Sequence, residues 1–520
     1  MSSQTLAIGA DAKSRPATSS PTSTRKARAG MAMSLATFAM AAASAIQAVL
    51  YLSRFGTNAR TDGFFVAFAL YSTFGVFSQS LRLTSVPLLV EPGARLSTRD
   101  FAATLALIAL PVMLITGPLA GPLAHLIAPG LDASARGVTA AALPVLGGAM
   151  VLQLWAAGAA TVLAIRDRFI TIAGAYMAGA LTGLIVFLAI VGEAGVQTLG
   201  WSMFSMAVVT CTWMLVGVRS SGALGERNRS RSPEALLRNC GMVLVRTAIY
   251  LAFNVLFVIT LAFASRSAAG ETTVLSYSYL FASYLVAGTG LALGMSSIPD
   301  MTREARTEQR AALIATVPRG FRYAILIVAP ALAGLITCGA PLVHALLPHS
   351  LSAAEVHTLQ TFAALLIPWT LAALLVNFLL PVLLALGRAR LLGALALPLV
   401  AIHIAATALG TALFGVDGAV GAFFVAPACL AAVLLVAGAG RDRATMLLHE
   451  VGGDGARFVF LTAIAFGLGW AVSMAMPAGL AQAVVAGAIG GGIYAAELFL
   501  VARPQLEVLI GAIVVRPSPA

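Results

Sequence analysis

Long apolar runs separated by short polar gaps dominate the 520-residue chain. About fourteen of these runs are each long enough to cross a hydrocarbon core roughly 30 Å thick with about 20 helical residues. They fall near 31–52, 63–90, 101–127, 137–164, 169–192, 197–217, 239–265, 272–299, 320–347, 356–386, 391–414, 417–437, 456–476 and 478–502. The fold class predicted is therefore an all-α integral membrane protein with about 14 transmembrane helices. A signal peptide is the rival reading of residues 1–50, since small residues around Ala42 and Ser44 resemble a cleavage site. The apolar stretch from Met31 to Leu52 is longer than a signal core of about 7 to 15 residues, which favours a retained first span.

Basic residues turn this pattern into a topology. Of the 32 Lys and Arg, 26 fall in the gaps on one side, from Lys13 and Arg15 through Arg95, Arg166, Arg229, Arg319, Arg388 and Arg443 to Arg516. Four (Arg54, Arg60, Arg136 and Arg266) fall on the other, and Arg82 and Arg246 lie inside apolar runs. The positive-inside rule then makes the basic side, with both termini, cytoplasmic, in a multi-pass protein of the cytoplasmic membrane. Charged residues are 10% of the chain, against about 25% in soluble domains, and the mean hydropathy is +0.93. The net charge of +12 sits in short loops beside the spans, where it orients the chain and meets anionic lipid. Nucleic acid is therefore not an expected partner. Cys211, Cys240, Cys338 and Cys429 are scattered with no CxxC spacing, so neither a zinc site nor a disulfide framework is suggested.

Two longer cytoplasmic gaps set the organisation. Arg219–Arg238 is polar and basic and follows the sixth span; Asp300–Arg319 alternates acid and base, as a solvated surface helix does. The expected layout is a disordered basic tail (1–30), a first six-helix lobe (31–217), a linker (218–238), a second six-helix lobe (239–437), two further helices (438–502) and a tail (503–520). Two comparable halves suggest a transporter built from repeats with its substrate path between them, an inference that rests on counting spans.

Several chemistries are excluded. Lys13 and Lys26 are the only lysines, so there is no GxxxxGK[ST] loop to hold ATP phosphates, and ATP hydrolysis or other enzymatic activity is not expected. His449 and Glu450 begin like an HExxH zinc helix, but Val451, Gly452 and Gly453 follow, so no metal or other cofactor is expected. Gly288, Gly290 and Gly294, Gly179 with Gly183, and Gly487 with Gly491 read as close helix packing. Prolines inside spans, including Pro111, Pro144, Pro330, Pro368, Pro381 and Pro398, each remove a helix hydrogen bond and permit bends.

The informative ionisable residues are Arg82 and Arg246. A charge at mid-membrane costs at least about 2.5 to 3.5 kcal/mol, so an Arg there faces a partner, faces a wet cavity, or snorkels to the headgroups. Each lies about eight residues from the cytoplasmic end of its span, roughly 12 Å deep, so the two can form one polar level. Ser78 and Gln79 sit one turn before Arg82, and Tyr250 one turn after Arg246. Asp62 begins the second span, where a carboxylate commonly caps the helix and complements its dipole. His403 stands without a carboxylate at helical spacing and reads as a core histidine. His344, His349, Glu355 and His357 read as a solvated outer loop.

Phe55, Gly56, then Thr61, Asp62, Gly63, Phe64, Phe65, Val66, Ala67 and Phe68 resemble the FG-x4-TDAFFVAF signature of the MurJ/MviN lipid flippases of the MOP exporter superfamily. Phe77-Ser78-Gln79, the run from Val86 to Glu91, Asp167-Arg168-Phe169, and Ala292-Leu293-Gly294 with Ile298-Pro299 are similar to further stretches of that family. The resemblance implies fourteen helices with both ends inside. It also implies an alternating-access flippase that moves a lipid-linked (polyprenyl-pyrophosphate) glycan precursor such as lipid II, driven by a coupling ion (Na+ or H+) or the membrane potential. Family members carry arginines in helices one, two and eight that are thought to hold pyrophosphate. Here the matching stretch of helix one has Gln47, and helix eight, around Ser276 to Tyr284, has hydroxyls and aromatics; Asp62 alone carries over. The substrate-binding candidates are therefore Arg82, Arg246, Gln47, Gln79 and Asp62. A MATE-like exporter of a small amphipathic molecule and a non-transporting membrane scaffold remain open as alternatives.

The charge distribution makes the first prediction. A cysteine introduced near Gly195 or Ser350 reacts with an impermeant thiol reagent in intact cells, and one near Ser230 or Gly387 does not; labelling at Ser230 overturns the topology.

Overall fold

The computed structural model describes residues 42–90, 96–222, 232–287, 310–346, 350–477 and 479–501, with single positions 36, 39, 40 and 289. The tails, most of the 218–238 linker, the surface helix expected before Arg310 and the motifs at 91–95 and 292–299 lie outside these residues. The described helices are 42–55 (α1), Ala59–Val90 (α2), Thr98–Thr116 (α3), Ala120–Ile127 (α4), Ala133–Ile165 (α5), Phe169–Ile190 (α6), Thr198–Ser220 (α7) and Pro233–Ala264 (α8). They continue with Glu271–Val286 (α9), Arg310–Leu346 (α10), Ala353–Leu365 (α11), Ile367–Ala385 (α12), Ala389–Gly421 (α13), Val425–Ala439 (α14), Arg441–Ser473 (α15) and Leu480–Val501 (α16). Ten segments are long and apolar enough to cross a membrane, and no strand occurs among the described residues. The protein is an all-α multi-pass membrane protein.

Local chemistry sets where helices start and break. Ser97, Asp132, Ser232 and Ser352 each accept a hydrogen bond from a first-turn amide of α3, α5, α8 and α11, satisfying groups that a helix start leaves open. The apolar run 101–127, expected as one span, is two helices. Pro118 has no N–H and its ring does not fit a helix interior, so α3 stops at Thr116 and α4 starts at Ala120. The run 356–386 likewise divides at Leu366, with Pro368 in the first turn of α12, where its missing N–H costs nothing. At Gly415, φ is 64° and ψ is −143°, and the chain doubles back within α13. Gly410 and Gly418 then meet so closely that a Cβ on either would enter the other's carbonyl.

Three groups of helices result. α2, α5, α6 and α7 pack on one another; α8 packs on α13, α12 on α14, and α9 on α11; α15 and α16 pack together and against α10. The first two groups repeat the same irregularities. α5 ends on Asp167 (φ 55°), with the Arg168 amide donating to Leu163 O at 2.9 Å. α12 ends on Gly387 (φ 73°), with the Arg388 amide donating to Leu383 O at 2.9 Å. A 3-10 turn precedes α7 (Gly195–Gln197) and another precedes α14 (Ala422–Phe424). Similar turns thus end α5 and α12, and span counting does not see them because Asp and Gly fill the same left-handed position.

Of the small-residue positions, Gly491 meets nothing within 4 Å, Gly487 makes an ordinary contact with Cys338 Sγ at 3.7 Å, and Gly288, Gly290 and Gly294 lie outside the described residues. Gly179 and Gly183 lie against Thr210, Met206 and Ser202 of α7. Gly63 of α2 abuts the Ala135 backbone of α5, where the Thr139 hydroxyl donates to Gly63 O at 2.7 Å. Gly63→Ala is expected to destabilise the protein by about 1–3 kcal/mol through overpacking. Gly137→Ala, which meets nothing within 4 Å, serves as the neutral control in thermal melts followed by size-exclusion chromatography. Equal midpoints for the two variants would refute the close crossing.

Candidate functional site

The first two groups enclose a cavity of about 290 Å³, bordered by α1, α2, α5 and α7 on one side and α8, α9 and α12 on the other. Its described lining is aromatic, hydroxylic and amidic: Tyr71, Tyr250, Tyr279 and Trp369, Ser72 and Ser283, Gln153, Asn254 and Asn377 among apolar residues, with no charged side chain. Thr73 of α2 donates to Asn254 O of α8 at 3.1 Å, which ties the two walls together at the cavity. Tyr250 and Trp369 are 5% and 2% exposed, and neither the Tyr250 hydroxyl nor Trp369 Nε1 has a hydrogen-bond partner among the described residues. Such groups each cost about 1–3 kcal/mol when left unsatisfied.

Beyond the cavity, toward the end assigned outward by the charge distribution, Asp62 joins α2 to α9. Its carboxylate, 1% exposed, accepts from Gly270 N at 2.6 Å, Thr273 N at 2.7 Å and the Thr273 hydroxyl at 2.6 Å. These donors open α9, in the opposite group. The expectation that Asp62 caps its own helix is corrected by this geometry: α2 is capped by Asn58, whose Oδ1 accepts from the amides of Arg60 at 2.9 Å and Thr61 at 3.2 Å. α9 cannot cap itself, because its N-cap is Gly270 at φ 96°, with no side chain and with Thr57 packed where a Cβ would stand. Around this latch, Ser265 Oγ accepts from Gly130 N at 3.2 Å, Ser350 Oγ donates to Ser53 O at 3.2 Å, and the Thr57 hydroxyl donates to Glu355. Glu355, expected in a solvated loop, also completes the capping box of Ser352.

Toward the opposite end, α2, α3 and α8 meet through apolar side chains. Phe77, Leu81 and Leu88 of α2, with Phe101 and Leu105 of α3, bury Cys240 and Val243 of α8. Here lie the two intramembrane arginines. From the Thr73–Asn254 contact, nine residues along α2 reach Arg82 and eight back along α8 reach Arg246, so each backbone position lies about 12 to 14 Å toward the basic side. The helices thus carry both arginines at one level, next to the basic-side margin of the cavity, which Ser80 and Tyr250 line. Arg246 is half-buried; the side chains of Arg82 and Gln79 lie outside the described residues. Gln47, 3% exposed, does not line the cavity; its amide donates to Ser202 Oγ at 3.0 Å and Ser202 donates to Gly183 O at 2.8 Å, fastening α1 to α6 and α7. His403 is fully buried, with Nε2 2.9 Å from Leu256 O and from Thr260 Oγ1.

Tyr250, Asn254, Trp369 and Asn377 were absent from the sequence-based candidates apart from Tyr250's place one turn after Arg246. The two asparagines carried a usable signal, since a carboxamide inside an apolar run is costly unless it faces a partner or a cavity.

Removing the Asp62 latch makes a prediction. Hydrogen bonds to a charged group contribute about 1.5–3 kcal/mol, so Asp62→Ala should lower the thermal midpoint and speed external thiol labelling of a Ser72→Cys reporter in the cavity. Asp62→Asn, which keeps one acceptor oxygen, should fall between. A wild-type midpoint and labelling rate in Asp62→Ala would show that the outer end is held by other contacts.

No protein-family model matches the sequence, and no curated protein sequence matches it. The fold does have relatives. A structure of the lipid II flippase MurJ in an inward closed conformation superposes with a TM-score of 0.67 at 13% identity, covering 91% of this chain and 99% of that one. An inward-facing multidrug resistance MATE family transporter of the MOP superfamily gives a TM-score of 0.59 at 14% identity, covering 78% of this chain and 94% of that one. The Vibrio cholerae MATE transporter VcmN gives 0.55 at 14% identity, covering 82% and 98%. At these identities the likeness is one of architecture: the chain has the fold that MurJ and the MATE transporters share.

Proposed function

We propose that this protein is an alternating-access transporter of the cytoplasmic membrane that moves a lipid-linked (polyprenyl-pyrophosphate) glycan from the inner to the outer leaflet. The observation that carries the reading is a cavity between two helix groups whose described lining is polar but uncharged, with the groups joined beyond it by the Asp62 contacts at one end and by apolar packing at the other. Residues 31–217 and 239–437 are then the two moving bodies, and 438–502 an accessory pair. Breaking the Asp62 contacts while keeping the inner packing opens the path outward, and the reverse opens it inward. Arg82 and Arg246, level with one another at the inner margin, are placed to meet a pyrophosphate as the glycan enters the cavity. Arginine suits this role because its planar fork binds phosphate oxygens in pairs. An ion gradient (Na+ or H+) or the membrane potential acting on the arginines supplies the driving force.

The second reading, export of a small uncharged amphiphile, is favoured by the cavity volume of about 290 Å³ and its charge-free lining. The two readings part at the arginines. In proteoliposomes loaded with a fluorescent polyprenyl-pyrophosphate disaccharide, Arg82→Ala and Arg246→Ala should each abolish translocation with normal insertion, and Lys should restore it only in part. Equal activity of Lys and Arg with a mild Ala phenotype indicates snorkelling. Wild-type translocation by the double Ala variant removes the pyrophosphate role and leaves the small-amphiphile exporter. Rescue of a strain depleted of its lipid II flippase tests the substrate directly.

A further inference from the structure

We propose that a groove between the basic-side ends of α6 and α7 holds one anionic phospholipid, its headgroup against Arg168 and Arg219 and an acyl chain along Trp213 and Val216. The groove, of about 370 Å³, is lined by Thr171 from the first turn of α6 and by Trp213, Val216, Gly217 and Ser220 from the end of α7. Those α7 positions recur at intervals of three and four, so they form one stripe along the helix. The floor lies at Gly217, where a Cβ would meet Thr171 Cγ2 at 2.9 Å and Leu163 Cδ1 at 3.4 Å. Farther from Ser220, the Trp213 ring lies against Gly174, with Cζ2 3.6 Å from where a Cβ would stand. The α5–α6 turn braces this corner, since the Arg166 guanidinium donates to Ser221 O at 2.7 Å. None of these groove residues lines the central cavity, so the site is independent of what that cavity carries.

Charge and apolar exposure together select the occupant. Arg219 directly precedes Ser220, and Arg168 lies three residues before Thr171, whose amide donates to Arg168 O at 3.1 Å. Both arginine side chains are exposed, and among the described residues neither guanidinium has a partner. Asp167 is the one carboxylate in the α5–α6 turn, against Arg166, Arg168 and Arg219, so the corner is net positive. Beside it, Ile170 and Val216 are 65% and 63% exposed, on segments long and apolar enough to cross a membrane. Trp213 lies seven residues from Ser220, about 10 Å along α7, within the zone near the headgroups where indoles settle. A free phosphate would answer the guanidiniums and leave the Trp213–Val216 stripe uncovered. A phospholipid without net charge would cover the stripe and bring the arginines no counter-charge. A phospholipid with a net negative headgroup does both, its phosphate oxygens meeting the guanidinium forks.

The test follows Trp213 fluorescence in the full-length protein, taken as the difference between wild type and Trp213→Phe. The protein is placed in phosphatidylcholine nanodiscs containing graded fractions of either phosphatidylglycerol or phosphatidylcholine brominated near the top of the acyl chain, so that a lipid in the groove quenches the indole. Half-quenching should need about twentyfold less of the brominated phosphatidylglycerol, about fivefold for each arginine. Arg168→Gln and Arg219→Gln should each reduce the preference about fivefold, and the double variant should lose it. Ser220→Phe, which fills the groove and keeps both arginines, should lose it as well. An Arg388→Gln, Arg390→Gln variant removes the same charge from exposed positions at the α12–α13 turn and should keep the wild-type preference. Equal quenching by the two lipids in the wild-type protein overturns the site, as does a wild-type preference in the Arg168→Gln, Arg219→Gln double variant. Loss of preference in the Arg388→Gln, Arg390→Gln variant, or its survival in Ser220→Phe, would replace the groove with a diffuse surface attraction.

Discussion

A carboxylate capping a helix that is not its own ties α2 to α9. The N-terminus of α9 presents unpaired amides and the positive end of a helix dipole, and Gly270 gives it no side chain with which to answer them. Asp62 answers from across the interface, with three hydrogen bonds to a group that solvent does not reach. Because the contact is charge-assisted it is strong, and because it is a small set of directional bonds it can break as a unit. Packing of large apolar faces lacks that property, since it yields gradually as surfaces part. At the opposite end, by contrast, α2, α3 and α8 meet through Phe, Leu and Val side chains.

Among the described residues, the cavity lining is polar without charge. An unpaired ion would be expensive so far from water, whereas hydroxyls and carboxamides lose less and are partly satisfied by their own helices, as Asn254 and Asn377 are. The orphaned Tyr250 hydroxyl and Trp369 Nε1 are costs that the folded protein carries without return from its own packing. Arg82 and Arg246 occupy backbone positions about two turns toward the basic side from the Thr73–Asn254 contact.

The sequence by itself determined the apolar runs and with them the all-α multi-pass class, the side on which basic residues gather, and the matched register of Arg82 and Arg246 along α2 and α8. Each of these depends on hydrophobicity, charge or a rise per residue, all of which act within one segment. It also marked Asp62 as structural at a helix start, through the local rule that carboxylates cap helices. What only the tertiary structure decided is which helix Asp62 caps, that Glu355 joins a capping box and an interface hydroxyl, that Gln47 is engaged by Ser202, and that Tyr250, Asn254, Trp369 and Asn377 meet in one wall. Those outcomes require residues such as Asp62 and Thr273, 211 positions apart, to be brought together. No period of 3.6 along a single helix encodes which face of another helix it will meet; close contacts between small residues, such as Gly63 on Ala135 and Gly410 on Gly418, decide that only when the chain is packed.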